Sequence, residues 1–358
     1  MIIDDKILVC YNEPAKFYNN YLGKNISNDI ENVDLSETDF TKQLKTIRNS
    51  LKKHFSQVEL FALNGNTKST IKSISEITPG IIFNFVESVE GNANYESFIA
   101  GLYEILGIRY TGSTPLCLGN CLIKSRTKQI LKANGIRTPN YLLASFKKEI
   151  NVSEFELRFP VILKLSKEDA SIGISELSVV KNFKALKKQL NFLFNTYRQD
   201  VIIEEYIIGR ELNVSILQNE ALPISEITFT GLPKNLPKIV TYEAKWSPNS
   251  IYYKHTVPKC PADIDNKLKD RIFSIAKKTF QAMDCRDYAR VDIRLNKRNV
   301  PYVIEINPNP DISTDSGFAR SAKAAGISYD ELLYRIAGFA LKRKQYDTQI
   351  TEKGLAST

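Results

Sequence analysis

Four polar side chains near the C-terminal end of the chain could act together on a phosphate group. They lie in two strand-like segments joined by a polar turn, YARVDIRL–NKRN–VPYVIEIN (288–307). Because strand residues alternate faces, Arg290 and Asp292 share one side of the first segment. Glu305 and Asn307 likewise share one side of the second segment.

A hairpin of these segments would gather Asp292, Glu305 and Asn307 as three oxygen ligands, the set expected for Mg²⁺ that is shared with phosphate. Arg290 beside them would offer a planar pair of donors to a phosphate or a developing oxyanion. A surface hairpin with one charged face is the alternative.

A lysine and a loop of small residues form a second candidate contact for phosphate. Lys164 lies at the end of the apolar strand VILKL, and the loop SKEDASIG with Ser171 and Gly173 follows it. Small residues allow backbone N–H groups to close on phosphates. A lysine at a strand end and a loop with one glycine are each common without any ligand. This segment therefore indicates phosphate binding only in combination with the other motifs.

Two consecutive acids lie at the end of another apolar strand, in VIIEEYIIGREL. Glu204 and Glu205 are costly there unless they are used. A strand end followed by a turn can hydrogen-bond an adenine, and a later acid such as Glu211 can hold a ribose. An exposed strand terminus is the alternative.

The composition is typical of a soluble globular protein with two or three domains: 358 residues, 43% apolar and 25% charged. No apolar run is long enough to span a membrane, and the start MIIDDKILVC lacks the basic segment of a signal peptide. We therefore expect a cytoplasmic protein. The net charge of +9 invites a nucleic-acid partner. The lysines form no basic tract, however, and we predict no such partner.

The five cysteines are odd in number and have no framework spacing, which favours a reducing compartment. Cys117 and Cys121 could sit on adjacent helical turns. With no third or fourth ligand near them in the sequence, we expect ordinary core or surface cysteines and no zinc site. Only two histidines are present, so a histidine-based centre has little to work with.

Hydrophobic periodicity predicts the elements that position these side chains. In the first third of the chain, strands alternate with helices, which argues for a parallel α/β layer. Those segments are a strand at 7–10, a helix at 39–55, strands at 58–63 and 81–86, and a helix at 95–106. Further along we predict strands at 161–165, 174–180 and 201–207, a helix at 183–197 and a strand at 212–217.

Four motifs in chain order resemble those of the ATP-grasp superfamily, and most closely its D-alanine–D-alanine ligase branch. They are PVILKLSKEDASIGIS, VIIEEYIIGRELNVSIL, YEAKW and ARVDIRL…VIEINPNP. The resemblance implies an α/β, three-domain ATP-grasp fold, in which an N-terminal parallel α/β domain precedes two α+β domains that hold the nucleotide between them. The implied domains are residues 1–115, 116–208 and 209–345, with a tail at 346–358.

The resemblance also implies which residues contact the ATP phosphates. Lys124 and Lys164 match two central-domain lysines of the family. The loop with Ser171 and Gly173 matches the flap that covers the phosphates. Lys245 in YEAKW matches a lysine on a mobile loop that closes over them.

The nucleoside contacts come from the segment after the flap. Glu204, Glu205 and Ile207 fall on the linker that reads adenine by side chain and backbone, and Glu211 matches the acid that binds ribose.

The metal and acceptor sites follow from the last motif. Asp292, Glu305 and Asn307 match the ligands of two Mg²⁺ ions, for which Mn²⁺ can substitute. Arg290 matches an arginine near the tetrahedral intermediate. Ser316 falls where these ligases bind the carboxylate of the acceptor.

Three positions depart from the branch, which also has an N-terminal His-Gly signature where this chain reads FNFVESVEG. Ala170 replaces the first of two adjacent flap serines, and Trp246 replaces the loop tyrosine. Both family residues help to hold the first amino acid, so the donor pocket need not fit D-alanine. Asp311 replaces a glycine whose N–H lies near the reaction centre. Its negative charge should attract a cationic amine.

Glu37 and Glu87 are the candidates from the N-terminal segment for holding a substrate amine. For each, an exposed helix or loop acid is the alternative.

The leading hypothesis is an ATP- and Mg²⁺-dependent ligase that joins the carboxylate of an amino acid or short peptide to an amine through an acyl phosphate. A D-alanine–D-alanine ligase of cell-wall synthesis and a non-catalytic ATP-binding protein are the alternatives. The expected partners are small molecules, with no membrane, and dimerisation is common in the resembled family.

Overall fold

The computed structural model describes residues 2–25, 35–146, 148 and 155–343. These residues form three β-sheets that follow one another along the chain, with helices packed around them. The tail expected at 346–358 lies outside the described residues. None of the helices described is both long and apolar enough to cross a membrane.

The first sheet is parallel, with strand order β2–β1–β3, as the alternation of strands and helices predicts. Residues 7–10 of the central strand are fully buried, as expected of a continuous apolar run. The helix predicted at 39–55 runs from Leu35 to Leu51, because Phe55 buries its side chain as the first residue of the next strand. The elements are β1 (Ile3–Asn12), α1 (Leu35–Leu51), β2 (Phe55–Leu63), α2 (Thr67–Ile77), β3 (Ile81–Phe85) and α3 (Tyr95–Ile105).

The second sheet is antiparallel, with strand order β4–β7–β5–β6. The strand predicted at 174–180 is wrong in its first part. Ser175 accepts a hydrogen bond from the N–H of Leu177 and starts a 3₁₀ turn, so only two residues pair as a strand. The elements are α4 (Pro115–Leu122), α5 (Lys124–Ala133), β4 (Tyr141–Ala144), β5 (Val161–Leu165), β6 (Val179–Val180), α6 (Phe183–Tyr197) and β7 (Val201–Glu205).

The third sheet has the order β11–β10–β8–β12–β13, and β9 pairs with β8. Its long strand begins at Gly209, three residues before the predicted start. The predicted hairpin is present, and its register sets Asp292 opposite Glu305. The elements are β8 (Gly209–Leu217), β9 (Glu220–Ala221), β10 (Ser225–Thr228), α7 (Tyr242–Trp246), α8 (Ile251–His255), β11 (Val257–Lys259), α9 (Asn266–Ala282), β12 (Tyr288–Asn296), β13 (Pro301–Asn307), α10 (Gly317–Ala324) and α11 (Tyr329–Leu341).

The last helix returns to the first sheet. Leu333 and Ile336 of α11 share one buried apolar cluster with Ile7, Val9 and Phe83 of the N-terminal strands. Burial of such side chains contributes about 1.5–3 kcal/mol each. The packing therefore fastens the end of the described chain to its beginning.

Candidate active site

One cavity of about 490 Å³ runs between the second and third sheets and reaches the N-terminal segment. Nearly every residue that the sequence assigned to a site lines it. The assigned residues on its wall are Glu37, Glu87, Lys124, Lys164, Ser171, Glu204, Glu205, Ile207, Glu211, Lys245, Trp246, Arg290, Asp292, Glu305, Asn307, Asp311 and Ser316. Segments far apart in the sequence thus contribute to a single site.

Two predicted lysines lie on the wall formed by the second sheet and α5. Lys164 forms an ion pair with Glu204, with 3.3 Å between Nζ and Oε2. Lys124 is buried, and its ammonium group contacts the carbonyl oxygen of Glu168 and lies 3.3 Å from a carboxylate oxygen of Asp169. The predicted loop, through Glu168 and Asp169, holds the ammonium group of Lys124 at the cavity, and Glu204 of β7 holds that of Lys164.

A third lysine was missed in the sequence. Lys128 is fully buried, and its Nζ lies 3.2 Å from Oε1 of Glu204. It also donates to the hydroxyl of Thr138 and the carbonyl of Ile304. Its position four residues after Lys124, on the same face of one helix, was the available signal. Burial by itself would raise the pKa of Glu204, but Lys128 and Lys164 hold it below its usual value.

The flap loop is held in place by hydrogen bonds from other segments. Ala170 and Ser171 both have positive φ, 53° and 64°. The indole N–H of Trp246 donates to the carbonyl of Ala170 at 3.2 Å. Gly173, expected at the phosphates, lies behind the loop instead, where its N–H donates to the carbonyl of Tyr21 at 2.8 Å. Gly173 is buried there and does not line the cavity.

The linker after β7 gives its two acids different surroundings. Glu204 faces the lysines, whereas the Glu205 carboxylate accepts hydrogen bonds from the side-chain amide of Asn140 and the N–H of Arg158. The carbonyl of Ile207 accepts from Nε of Arg294 at 2.8 Å. Successive strand residues point to opposite sides, so the two carboxylates cannot both reach one ligand.

Glu211 lies deep in the cavity wall, as an ion pair with Arg294. The distance between Oε2 and Nη1 is 2.6 Å, and both side chains are buried. Burial raises the pKa of Glu211, and the charge of Arg294 opposes that rise. The pairing fixes the carboxylate in one orientation toward the cavity.

The hairpin places its oxygen ligands side by side. Arg290 donates two hydrogen bonds of 2.8 Å to Asp292, whose Oδ1 also accepts from the amide of Asn213 at 2.7 Å. Asn307 pairs with Arg290 across the hairpin, and its Oδ1 accepts from the N–H of Asn309. These contacts fix the side chains of both strands.

Glu305 is the carboxylate best suited to a metal ion. Burial by itself would raise its pKa, but the positive charges of Lys124, Lys164, Arg290 and Lys245 lower it to about 2. Among the described residues, no cation lies within ion-pair distance of it, since Lys164 and Arg290 are paired with other acids. An ionised oxygen ligand beside Asp292 and Asn307 fits Mg²⁺, which takes few protein carboxylates and shares phosphate oxygens.

Lys245 faces the hairpin from the short helix α7. Burial and the neighbouring charge of Arg290 lower its pKa, while Glu305 and Asp292 oppose the change. The helix itself is capped by the hydroxyl of Thr241, which accepts from the N–H of Ala244. The cap fixes the start of the helix that places Lys245 at the cavity wall.

Acids dominate the other end of the cavity. Glu37 accepts hydrogen bonds from the amide of Asn12, the hydroxyl of Ser88 and the N–H of Ala15, at 2.6–2.8 Å. It is therefore an anchored residue and not the freely exposed helix acid of the alternative. Glu87 is exposed at the cavity wall.

Asp311 and the start of α10 complete that end. Asp311 is exposed at the cavity wall and accepts a hydrogen bond from the N–H of Ser313 at 2.8 Å, and partial desolvation by the surrounding protein raises its pKa. Ser316 caps α10 by accepting from the N–H of Ala319 at 3.1 Å, so the positive end of the helix faces the cavity. The positive end of α10 at Ser316 would attract a carboxylate, and the negative charge of Asp311 would attract a cation.

Comparison with known proteins agrees with this architecture. A family model described as "D-ala D-ala ligase C-terminus" matches residues 130–337. A D-alanine–D-alanine ligase from Carboxydothermus hydrogenoformans is 33% identical over 306 residues, which cover 82% of this chain and 91% of that protein. An uncharacterized protein from Sinorhizobium fredii is 35% identical over 266 residues, 74% of this chain and 76% of that one. The crystal structure of a D-alanine–D-alanine ligase from Bacillus anthracis complexed with ATP covers 95% of this chain and 97% of its own, with a TM-score of 0.72 and 24% identity.

Three sheets in this order, with a cavity lined by lysines and acids between the second and third, form the ATP-grasp fold. The chain belongs to the D-alanine–D-alanine ligase family. The resemblance and the fold class expected from the sequence are thereby confirmed. The family places the protein among the ATP-dependent ligases that form a carbon–nitrogen bond and release ADP.

Proposed function

We propose that this protein joins the carboxylate of one amino acid or short peptide to the amine of another, and that one of the two substrates has an additional cationic group. The supporting observation is that one cavity has lysines and metal-type ligands at one end and acids at the other. A nucleotide and two small substrates can therefore bind side by side in the same cavity.

The reaction would proceed in two steps. The donor carboxylate attacks the γ-phosphorus of ATP, forming an acyl phosphate and releasing ADP. The acceptor amine then attacks the acyl carbon, and inorganic phosphate leaves with the bonding electron pair of the broken C–O bond. The amine loses its proton, and the product is an amide.

The residues at the nucleotide end would work by position and charge. Lys124, Lys164 and Lys245 are held at the cavity wall and can neutralise the phosphate oxygens. Glu211 is fixed by Arg294 where it can accept from ribose hydroxyls. When bound by Asp292, Glu305 and Asn307, Mg²⁺ supplies further charge neutralisation at the transferring phosphate.

The residues at the other end would orient the two substrates. Glu37 is anchored at the cavity wall by three hydrogen bonds, which hold its carboxylate where a donor amine can approach it. Ser316 and the start of α10 suit the acceptor's carboxylate. Arg290 lies between the two ends and can stabilise the oxyanion of the second step.

A closed flap would exclude water, which otherwise hydrolyses the acyl phosphate. The hydrogen bonds from Trp246 to Ala170 and from Gly173 to Tyr21 hold the flap against α7 and the N-terminal segment. Ala170 and Trp246 replace the serine and tyrosine expected in the family's donor pocket. This contact supports a donor other than D-alanine.

The test measures ADP release with Mg²⁺ across a panel of amino acids and dipeptides, with and without basic side chains. Glu305→Gln serves as the inactive variant and Glu220→Gln, an exposed acid on the same sheet, as the matched control. We expect substrate-dependent turnover in the wild type and the control only.

Three other outcomes would change the proposal. Turnover on D-alanine alone would identify a D-alanine–D-alanine ligase. ATP binding without turnover on any member of the panel would favour a binding protein. Equal rates with cationic and neutral substrates would remove the requirement for a basic group.

A further inference from the structure

Three cysteine thiols meet in the core beneath α4, outside the large cavity. Cys117 and Cys121 lie one turn apart on α4, and Cys285 lies just before β12. Sγ of Cys117 is 3.4 Å from Sγ of Cys285 and 4.0 Å from Sγ of Cys121. All three side chains are buried, and the three sulfur atoms lie within 4.8 Å of one another.

The fold brings a third thiol to the two that the sequence shows close together. No zinc site was expected, because Cys117 and Cys121 have no third ligand near them in the chain. The fold supplies Cys285, which lies 168 residues after Cys117 in the chain. A contact of this kind cannot be found from local spacing.

We propose that Cys117, Cys121 and Cys285 bind one soft d¹⁰ cation, Zn²⁺ or Cu⁺, through three thiolates. With metal–sulfur bonds of about 2.3 Å, three sulfurs in a trigonal arrangement lie about 4.0 Å apart. The separations in the protein, from 3.4 to at most 4.8 Å, bracket that value. Small side-chain rotations are enough to form the site. Thiolates select such soft ions over Mg²⁺, so the cluster would not compete with the hairpin ligands.

The position of Cys117 favours the charged ligand that a metal needs. It lies in the first turn of α4, where the helix dipole stabilises negative charge. The buried hydroxyl of Ser113 lies beside Cys117 and Cys285 as a further polar contact.

One thiol of the cluster borders a second, smaller cavity of about 70 Å³. Cys121 lines this cavity together with Leu118 and Leu122, and Glu37 and Glu87 line both this cavity and the large one. Metal binding would fasten α4 to the segment that leads into β12.

The test is a metal-binding measurement on the full chain, reduced and handled without oxygen. The protein is incubated with Zn²⁺ or with Cu⁺, passed through a desalting column, and analysed for metal per chain. We expect about one equivalent of ion per chain, as three thiolates make one site. Cys117→Ser and Cys285→Ser should each retain less than about a tenth of that amount, whereas the control Cys260→Ser, a partly exposed cysteine elsewhere, should bind normally.

A second measurement needs no substitution, in case a core variant does not fold. Because the three thiols are buried, alkylation is carried out in a denaturant concentration at which the metal-free chain exposes them. Bound metal should then slow the alkylation of Cys117, Cys121 and Cys285 of the wild type, read by peptide mass spectrometry, and should leave the labelling of Cys260 unchanged. Failure of both ions to remain bound, retention unchanged in Cys117→Ser, or alkylation unaffected by metal would each overturn the proposal. Ligase activity is measured separately and does not enter the decision.

Discussion

The indole Nε1 of Trp246 donates a 3.2 Å hydrogen bond to the backbone carbonyl of Ala170, so that two departures from the family's motifs contact each other. One residue ends α7, and the other lies in the flap with a left-handed backbone conformation, φ 53°. Such a conformation costs a non-glycine residue about 1 kcal/mol or more. The flap therefore needs a partner to remain closed, and Trp246 provides one.

Replacing Trp246 by Phe should loosen the flap while retaining an aromatic ring. Loss of one hydrogen bond of about 1 kcal/mol predicts about a fivefold increase in KM for ATP. Amide exchange in the flap should accelerate, and the melting temperature should stay nearly unchanged. Steady-state kinetics and exchange mass spectrometry measure these effects. Tyr253→Phe, which removes a polar atom from an exposed ring on the same cavity wall, is the control. An unchanged KM and unchanged exchange would show that the contact does not hold the flap.

The sequence was most informative where the chemistry depends on strand residues that alternate between the two faces of a sheet. The pairing of Asp292 with Glu305 and the charged face of β12 follow from strand periodicity and a short turn, and the structure has both. Long-range contacts were inaccessible. The pairing of Lys128 with Glu204 depends on the packing of α5 against β7, which the sequence around Lys128 does not show. Likewise, nothing in the sequence around Cys117 indicates that Cys285 will contact it.

The same reasoning explains two other differences. Gly173 was predicted to belong to a phosphate-binding loop because glycine lets a ligand come close to the backbone. In the structure the group that comes close to the backbone of Gly173 is another backbone segment, at Gly23. A Cβ on Gly23 would lie 2.1 Å from the carbonyl oxygen of Gly173. The packing of α11 on the first sheet was equally hidden, since an amphipathic helix does not specify which of several apolar faces it will cover.

Asp311→Asn should change substrate preference more than overall rate. The substitution removes one negative charge from the acidic end of the cavity but leaves an acceptor for the N–H of Ser313. A partly solvated charge pair contributes about 1 kcal/mol, so kcat/KM for cationic amines should fall about fivefold relative to neutral ones. Competition between a basic and a neutral substrate of similar size measures the ratio directly. Asp315→Asn, which changes another acid that lines the cavity, is the control. If kcat/KM for cationic relative to neutral substrates is unchanged in Asp311→Asn, Asp311 has only a local role in the turn.

Removal of divalent metal should abolish turnover and weaken ATP binding. The paired acids Asp292 and Glu305 would repel the phosphates once no cation lies between them. Activity lost in a chelator should return with Mg²⁺ and also with Mn²⁺, since both accept oxygen ligands. Isothermal titration with a non-hydrolysable ATP analogue, with and without metal, separates binding from chemistry. In Glu305→Gln, the difference between the two titrations should be much smaller, and full metal dependence in that variant would contradict the assignment of this ligand.

Lys128→Met should destabilise the protein even though methionine fills most of the same space. Lys128 is fully buried and paired with Glu204, so its removal leaves a buried carboxylate with only Lys164 as partner. Breaking a buried ion pair costs about 3 kcal/mol, and here Lys164 still compensates part of the charge that remains on Glu204. Chemical denaturation measures the free energy of unfolding of the variant. Adding Glu204→Gln to Lys128→Met should restore part of the loss, since the double variant has no buried carboxylate at this position and Lys164, which loses its partner, lines the cavity. Equal losses in the single and double variants would mean that Lys128 acts through packing alone and that its charge does not hold Glu204.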